Sequence, residues 1–281
     1  MPYIVFILFS HSTHVPSPTP STTHNSFLKG ISHMTIKKLK TKKGRDESGL
    51  FIVEGEKFVS EIPEPWIIRQ YAMSQRFVDT HDISMYKKRA RCEIVRDSIF
   101  DGISDTVSPQ GILAVCEKKH WELSNELFKS GSFFLMGENL NDPGNIGTLI
   151  RTATAANAEG VILTSGEIYN PKVIRASAGA VFRLPIITNI ILKEAVTILK
   201  SQNVQIYATH PRGAVFPYSL DLTKRFCLLI GNESHGISDE AISFADARVS
   251  LPMSECVESL NASTAGSILL YEAVRQRLGG N

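Results

Sequence analysis

Residues 133–151 read FFLMGENLNDPGNIGTLIR, and this stretch decides what kind of fold the sequence can form. The apolar residues 133–136 predict a buried strand. Pro143 and Gly144 then force a turn, and Asn145 is a residue type that commonly caps the start of a helix. Apolar side chains recur on one helical face after that point. The stretch therefore predicts a strand, a tight turn and a helix in immediate succession.

The same alternation of apolar strands and helical patterns continues towards the end of the chain. Further strands are predicted at Gly160–Thr164, Ile186–Asn189, Gln205–Thr209, Phe226–Ile230 and Arg248–Leu251. Such alternation is typical of a parallel sheet with helices on both faces. Because sheets of this kind bind ligands at the carboxyl ends of their strands, the loops that follow the strands are the places to search for chemistry.

A smaller α/β domain is predicted ahead of this one, over residues 34–119. Its predicted strands are Phe51–Gly55, Trp66–Ile68 and Gly111–Cys116, with a helix that begins within residues 56–60. Residues 120–131 are mostly polar and charged, and they predict a linker. The second domain then occupies residues 132–281.

The first 33 residues differ in composition from the rest of the chain. A short apolar run, 3–9, is followed by a Ser/Thr/Pro/His stretch, 10–26, with no charged side chain apart from titratable histidines. Such a composition cannot bury a core, so we expect residues 1–33 to be a disordered extension and Met34 to be the natural start. The apolar run lacks a basic leader and is too short to span a membrane. A secretory leader is the less favoured alternative.

Charge and cysteine usage limit the function classes. The formal net charge is +2, so bulk charge indicates no particular partner. Two basic runs, 37–45 and 87–91, are suited to RNA phosphates, although a solvated surface explains them equally well. The four cysteines are scattered and form no C-x-x-C pair, so neither a zinc site nor redox chemistry is predicted. We expect no metal, no membrane and a reduced, cytoplasmic setting.

Three loops near predicted strand ends carry side chains suited to chemistry, and they span residues 139–151, 231–236 and 251–263. In the second loop, GNESHG, the glycines let backbone approach a ligand closely. In the third, Ser259 is a plausible helix cap. The candidate side chains are Asn145, Arg151, Glu233, Ser259 and Asn261. Each loop alone is also typical of an ordinary turn with exposed polar residues.

Taken together and in this order, the three loops resemble the signature motifs of the SpoU (TrmH-like) branch of the SPOUT RNA methyltransferases. Residues 170–180, NPKVIRASAGA, resemble a further segment of its rRNA-directed members. Residues 49–55, GLFIVEG, resemble their amino-terminal substrate-binding domain. The resemblance covers residues 132–278 and extends more weakly over 37–119.

The resemblance implies a deep trefoil knot in the carboxyl-terminal domain, a homodimer, and S-adenosylmethionine as cofactor. In this family the cofactor is held mainly by backbone groups of the knot loops. The matching positions are Thr209, Ile230, Gly231, Leu251 and Leu260. Apolar side chains and glycine suit that task, because they form a wall while backbone groups make the polar contacts.

The resemblance also assigns roles to the candidate side chains. Arginine keeps its proton, so we expect Arg151 to orient a phosphate and stabilise the oxyanion rather than act as a base. Asn145 would hold the loop and the substrate, and Glu233 would fix Arg151 or the ribose. Ser259 and Asn261 would line the same pocket. His235 has the right pKa range for a base, but a loop histidine is more often simply solvated.

The predicted function is transfer of a methyl group from S-adenosylmethionine to a ribose 2′-hydroxyl of RNA. The added amino-terminal domain and the basic run 37–45 would grip folded RNA, which favours rRNA over tRNA as the substrate. A catalytically inactive RNA-binding assembly factor is a second alternative, against which the intact candidate side chains argue. A nucleotide-binding oxidoreductase is disfavoured because the G-x-G-x-x-G motif is absent.

Overall fold

Two β-sheets organise the part of the chain that the computed structural model describes, residues 30–212 and 215–279. Of the predicted extension, 1–33, residues 1–29 lie outside that part. From Ile31 onward the described residues belong to one compact unit.

The first sheet belongs to the amino-terminal domain. Its elements are α1 (His33–Lys38), α2 (Lys42–Ser48), β1 (Leu50–Glu54), α3 (Glu56–Ser60), β2 (Ile68–Ser74), α4 (Gln75–Thr80), α5 (Ser84–Arg89), β3 (Arg91–Val95), α6 (Asp97–Ile103) and β4 (Ile112–Glu117). The strand order is β1-β4-β2-β3, with β4 antiparallel to both neighbours and β2 parallel to β3. The predicted small α/β domain is thus present. Strand β3 escaped prediction because it is an edge strand whose charged side chains give no apolar run.

The fold begins slightly earlier than the sequence predicts. The Ser32 hydroxyl accepts a hydrogen bond from the Thr35 backbone at 3.2 Å and so caps α1. The Ile31 backbone exchanges two hydrogen bonds with the Gln70 side chain, at 2.7 and 3.0 Å. The predicted end of the extension at residue 33 is therefore wrong by a few residues. Composition could not show this, because the partner of Ile31 lies in β2.

The second sheet has six strands. Its elements are β5 (Phe133–Gly137), α7 (Pro143–Ala155), β6 (Gly160–Leu163), α8 (Pro171–Ala176), β7 (Ile186–Thr188), α9 (Leu192–Ser201), β8 (Gln205–Thr209), β9 (Phe226–Ile230), α10 (Asp239–Phe244), β10 (Ala247–Val249) and α11 (Ala262–Leu278). The strand order is β10-β8-β9-β5-β6-β7, and every pairing is parallel. The predicted parallel α/β domain is confirmed. The knot stays a prediction.

Both faces of this sheet are buried. In β5, Phe133 and Leu135 join the core formed with α7, α8 and α11, whereas Phe134 and Met136 join the core formed with α9 and α10. Strands covered on both sides read as continuous apolar runs, which made them recognisable in the sequence. The loops at their carboxyl ends are left to form a site.

The predicted linker, 120–131, is fastened to the second domain. It contains a single 3₁₀ turn, Asn125–Leu127. The Phe128 side chain is buried and its ring lies 5.2 Å from that of Phe134. The Arg225 guanidinium donates to the carbonyls of Phe128 and Lys129 at 3.2 and 3.0 Å. The segment therefore connects the two domains and is itself packed against the second one.

A buried contact joins the two sheets. The Trp66 indole donates to the Phe182 carbonyl at 3.0 Å, and the two rings meet edge-on with centroids 5.0 Å apart. The Phe51 ring packs beside them, with its centroid 4.5 Å from that of Tyr169. Burial raises the pKa of Tyr169 to about 12. The amino-terminal domain is thus packed directly on the second domain.

One residue of the basic run 37–45 belongs to this contact. Arg45 is only 2% exposed and donates to the Glu167 carboxylate and to the Leu39 carbonyl. The expectation that the whole run grips RNA is therefore wrong for Arg45, which is buried against a partner that the sequence pattern could not reveal. The exposed lysines of the run are Lys37, Lys38, Lys42 and Lys43.

Candidate active site

The loop after β9 forms a tight hairpin. Asn232 and Gly236 exchange two backbone hydrogen bonds, at 2.9 and 2.8 Å. A Cβ on Gly231 would lie 2.2 Å from the Gly236 carbonyl carbon, so only glycine allows the two backbones to approach this closely. Glu233 lies between the bridged residues and projects from the hairpin.

Helix α7 brings Asn145 to this hairpin. The helix begins with Pro143, and Asp142 is its cap, accepting from the Asn145 backbone at 2.8 Å. The prediction that Asn145 itself is the cap is wrong, because Asp142 stands immediately before a proline that suits the first helical position. The amide side chain of Asn145 is therefore not used by the helix and is free to contact other groups.

Three of the candidate side chains form one hydrogen-bonded chain. The Asn145 amide donates to the Glu233 carboxylate at 2.9 Å. The Asn261 amide donates to the Asn145 side-chain oxygen at 3.0 Å. Asn145 is buried, at 7% exposed, so the central member of the chain is shielded from water. Loops that are far apart in sequence thus meet in the folded chain.

Asn261 is oriented by the start of α11. Its side-chain oxygen accepts from the backbones of Ser263 and Thr264, at 2.9 and 3.1 Å, and so caps the helix. The sequence predicts Ser259 as the cap, which is wrong by two residues. Because the oxygen of Asn261 is occupied by the helix, its amide nitrogen is directed to Asn145.

A large cavity opens beside this chain at the carboxyl ends of β8, β9 and β10. Its volume is about 1370 Å³. The five predicted cofactor positions, Thr209, Ile230, Gly231, Leu251 and Leu260, all line it. Three predicted catalytic residues, Glu233, Ser259 and Asn261, also line it. Cofactors of drug-like size occupy pockets of roughly 300–1,000 Å³, so the cavity can take a cofactor together with part of a second substrate.

Arg151 is placed differently from the other candidates. It is exposed on α7 and does not line the cavity. Six residues separate it from Asn145, or about 9 Å along the helix axis. Within the described part of the chain it makes no hydrogen bond or ion pair, and Glu233 pairs with Asn145 instead. The expected contact between Glu233 and Arg151 is therefore absent within one chain.

His235 is exposed at the cavity wall, and its ring Nδ1 lies 3.2 Å from the Asn232 side-chain oxygen. Cys227 in β9 is fully buried, and burial raises the pKa of its thiol. It is therefore a core residue rather than a nucleophile. In residues 30–212 and 215–279, no cluster of His, Cys, Asp or Glu could hold a metal. None of the helices described there is long and apolar enough to cross a bilayer.

Comparison with known proteins agrees with this geometry. Residues 132–271 match the SpoU rRNA Methylase family, and residues 34–114 match the MRM3-like substrate binding domain. The chain is 30% identical, over 84% of its length and 92% of the relative's, to 23S rRNA (guanosine(2553)-2′-O)-methyltransferase RlmP of Bacillus subtilis. It is 28% identical, over 88% of its length and 72% of the relative's, to the human mitochondrial rRNA methyltransferase 3.

Two solved structures resemble the whole described fold. The SpoU methyltransferase AviRb from Streptomyces viridochromogenes, in complex with the cofactor AdoMet, superposes with a TM-score of 0.80 at 25% identity, covering 90% of this chain and 100% of that one. The AdoMet-bound rRNA methyltransferase from Sinorhizobium meliloti gives 0.75 at 29% identity, covering 92% and 97%. The fold and site thus define an α/β methyltransferase. The chain belongs to the SpoU rRNA methylase family.

Proposed function

We propose that this protein transfers the methyl group of S-adenosylmethionine to a ribose 2′-hydroxyl of rRNA. The observation that carries the proposal is the hydrogen-bonded chain of Asn261, Asn145 and Glu233 beside a deep cavity at the carboxyl edge of a parallel sheet. This constellation lies within the domain that matches the SpoU rRNA methylase family.

The cavity residues suit S-adenosylmethionine. Ile230, Leu251 and Leu260 offer an apolar wall, and Gly231 leaves the hairpin backbone uncovered by a side chain. Such a site holds a purine and its ribose through backbone groups while the side chains exclude water. When bound, the cofactor supplies a methyl group that its positive sulfur has already activated.

The protein side chains then position the reacting hydroxyl. Glu233, held by Asn145, lies in the cavity wall, and alignment of the reacting groups can supply on the order of 7–11 kcal/mol of the barrier reduction. The Arg151 guanidinium would hold the adjacent phosphate and stabilise negative charge that develops on the ribose oxygen. Ser259 and Asn261 complete the wall nearest α11.

The proposal includes a homodimer. Three large apolar side chains of α11, Ile268, Tyr271 and Leu278, are 46%, 51% and 78% exposed, as is typical of a surface that another protein covers. The Thr152 hydroxyl is hydrogen-bonded to that of Ser267 at 3.0 Å, so Arg151 and Ile268 lie next to this helix contact. A second copy packed there is the arrangement that would let Arg151 act in the neighbouring cavity.

Ribosomal RNA is favoured over tRNA because the chain carries a substrate-binding domain that is packed on the methyltransferase domain. Such a domain extends the surface that can recognise folded RNA by shape. The unpaired cysteines favour a reducing compartment such as the cytoplasm.

Transfer of labelled methyl to unmodified rRNA and tRNA tests the function. The RNA would be digested to nucleosides afterwards to locate the label. We expect a labelled 2′-O-methyl nucleoside from rRNA, and loss of that label with Asn145→Ala. Label found on tRNA alone would overturn the proposal that rRNA is the substrate. Cofactor binding without label on naked rRNA, tRNA or assembling ribosomal particles would support an inactive RNA-binding protein.

A further inference from the structure

Glu138 is a buried acid that the proposed chemistry does not use. It follows β5 directly and is only 5% exposed. Its carboxylate accepts two hydrogen bonds from Ser238, from the backbone at 2.9 Å and from the hydroxyl at 2.6 Å. In the described part of the chain no cation pairs with it. Burying a carboxylate is costly unless hydrogen bonds compensate for lost water, so these two bonds hold Ser238 firmly.

Ser238 stands where the chain leaves the hairpin that carries Glu233. Its hydroxyl also caps α10, accepting from the Ala241 backbone at 3.1 Å. The outgoing leg of the hairpin is thus anchored to Glu138 at the end of β5.

The incoming leg of the hairpin is anchored to Asn139, the residue after Glu138. The Asn232 amide donates to the Asn139 carbonyl at 2.8 Å. The Asn232 side-chain oxygen accepts from the backbones of Ser234 and His235, at 2.8 and 3.1 Å. Both legs of the hairpin are therefore attached to the two residues that follow β5.

We propose that Glu138 is a positioning residue for methyl transfer, which acts by holding the hairpin so that Glu233 meets Asn145. The inference rests on the proposed function. The segment from β5 to α7 starts at Glu138 and carries Asn145 at its far end, so the end of β5 fixes both partners of the bond. A hydrogen bond weakens steeply with misalignment, and a shift of about 1 Å at a reacting site can cost about 10²-fold in rate.

The part of the cofactor wall that Ile230 and Gly231 form does not depend on this carboxylate. Ile230 is held by backbone pairing of β9 with β5, and its carbonyl accepts from the Glu138 backbone at 2.8 Å. No substitution of the Glu138 side chain removes these bonds. Loss of the carboxylate should therefore misplace Glu233 and leave Gly231 where it is.

The test compares Glu138→Ala with Glu138→Gln, and with Glu240→Gln as a matched change of an exposed acid on α10. We expect Glu138→Ala to lower kcat at least tenfold, while Kd for S-adenosylmethionine and KM for rRNA change by less than about twofold. Glu138→Gln keeps an acceptor for the Ser238 backbone, so it should recover most of the rate. Adding Ser238→Ala to Glu138→Ala should lower kcat little further, because the hydrogen bonds between Ser238 and the Glu138 carboxylate are already lost.

Hydrogen exchange at the Asn232 and Gly236 amides supplies a readout that needs no activity. Exchange should be faster in Glu138→Ala and unchanged in Glu240→Gln. Unchanged exchange in Glu138→Ala, or equal losses of kcat and cofactor affinity, would overturn the positioning role. If the wild-type protein is inactive but exchange at the hairpin amides is still faster in Glu138→Ala, the proposed function is refuted. The role of Glu138 in anchoring the hairpin would then stand by itself.

Discussion

Asn145 shows what a single residue contributes to the site. Its backbone satisfies the helix cap while its side chain donates to Glu233 and accepts from Asn261. An amide is the natural group for this place, because it offers a donor to the carboxylate and an acceptor to the second amide. Neither alanine nor aspartate can do both.

Asn145→Asp is expected to abolish most activity at neutral pH and to regain part of it in acid. The new carboxylate would lie against Glu233, and two adjacent carboxylates raise the pKa of one of them. Protonation of either group as the pH falls restores a hydrogen bond. The ratio of kcat for Asn145→Asp to that of the wild type should therefore rise between about pH 8 and pH 5. Asn145→Ala has no group to protonate, so its ratio should stay flat.

Gly231→Ala is expected to weaken cofactor binding. The new methyl group would lie 2.2 Å from the backbone of Gly236, so Gly231 itself must move from its place in the cavity wall. We expect Kd for S-adenosylmethionine to rise at least tenfold, or about 1.4 kcal/mol, as measured by calorimetry. Gly102→Ala in α6 is the control, since it has no atom within 4 Å of the new group. Unchanged affinity would mean that Gly231 does not belong to the cofactor wall.

The sequence indicated which residues lie near the cavity, but it did not indicate the hydrogen bonds between them. The apolar runs pointed to the loops at the strand ends, and the resemblance to a known family then selected the positions, which line the cavity. The contacts could not be predicted, because they join Asn145 to residues 88 and 116 positions away. Helical spacing puts Arg151 off the apolar face and so at the surface, but it could not show that Arg151 lies away from the cavity.

At the scale of elements, helix α7 packs closely because it carries glycine at the contact. A Cβ on Gly147 would lie 2.4 Å from the Ala176 Cβ of α8. In the same way, a Cβ on Gly266 of α11 would lie 2.6 Å from a methyl group of Leu149. Small residues thus allow α7 to lie between α8 and α11, which brings Asn145 within reach of Asn261.

Gly147→Ala is expected to destabilise the protein by about 1–3 kcal/mol through overpacking. Gly102→Ala, in α6, is the matched control, because nothing lies within 4 Å of its new methyl group. Removing glycine from an open helical position should stabilise the protein by about 0.4–1 kcal/mol. Urea unfolding of both variants would measure the difference. A stabilising Gly147→Ala would refute the close contact between α7 and α8.

Helix α11 carries an acid-sensitive contact near its end. Hydrogen bonds from Arg275 and Gln276 lower the pKa of Glu272 to about 2, from a usual value of 4.5. Because the folded pKa is the lower one, the stabilisation is present above about pH 4.5 and is lost as the pH falls towards 2. Glu272→Gln should therefore cost stability at pH 7, by less than about 1 kcal/mol since Arg275 is largely exposed. The difference in unfolding free energy between Glu272→Gln and the wild type should vanish near pH 2 in urea titrations. A difference that stays constant with pH would contradict the lowered pKa of Glu272.

The elements differ in how far the sequence reveals them. Strands of the second sheet were predicted to within one or two residues, because burial on both faces leaves continuous apolar runs. Strand β3 was missed because it is a charged edge strand. The segment 120–131 gave a polar linker pattern, whereas its attachment depends on Phe128 and on the distant Arg225.

The whole molecule is organised by the contact between its two sheets. Trp66 and Phe51 of the first domain join the aromatic rings of Tyr169 and Phe182 in the second. Through this contact the substrate-binding domain packs directly on the domain that holds the cavity. No local pattern in the sequence indicates such a contact, since its partners lie more than 100 residues apart.

The position of Arg151 leads to a prediction about assembly. If a second copy covers the exposed face of α11, each cavity can use the Arg151 of its neighbour. A heterodimer of Arg151→Ala and Glu233→Gln chains, purified through two different tags, would then contain one complete cavity out of two. It should show about half of the wild-type activity per dimer, although either variant alone is inactive. An inactive heterodimer would place Arg151 in the cavity of its own chain, and a monomer in sedimentation analysis would exclude the dimer itself.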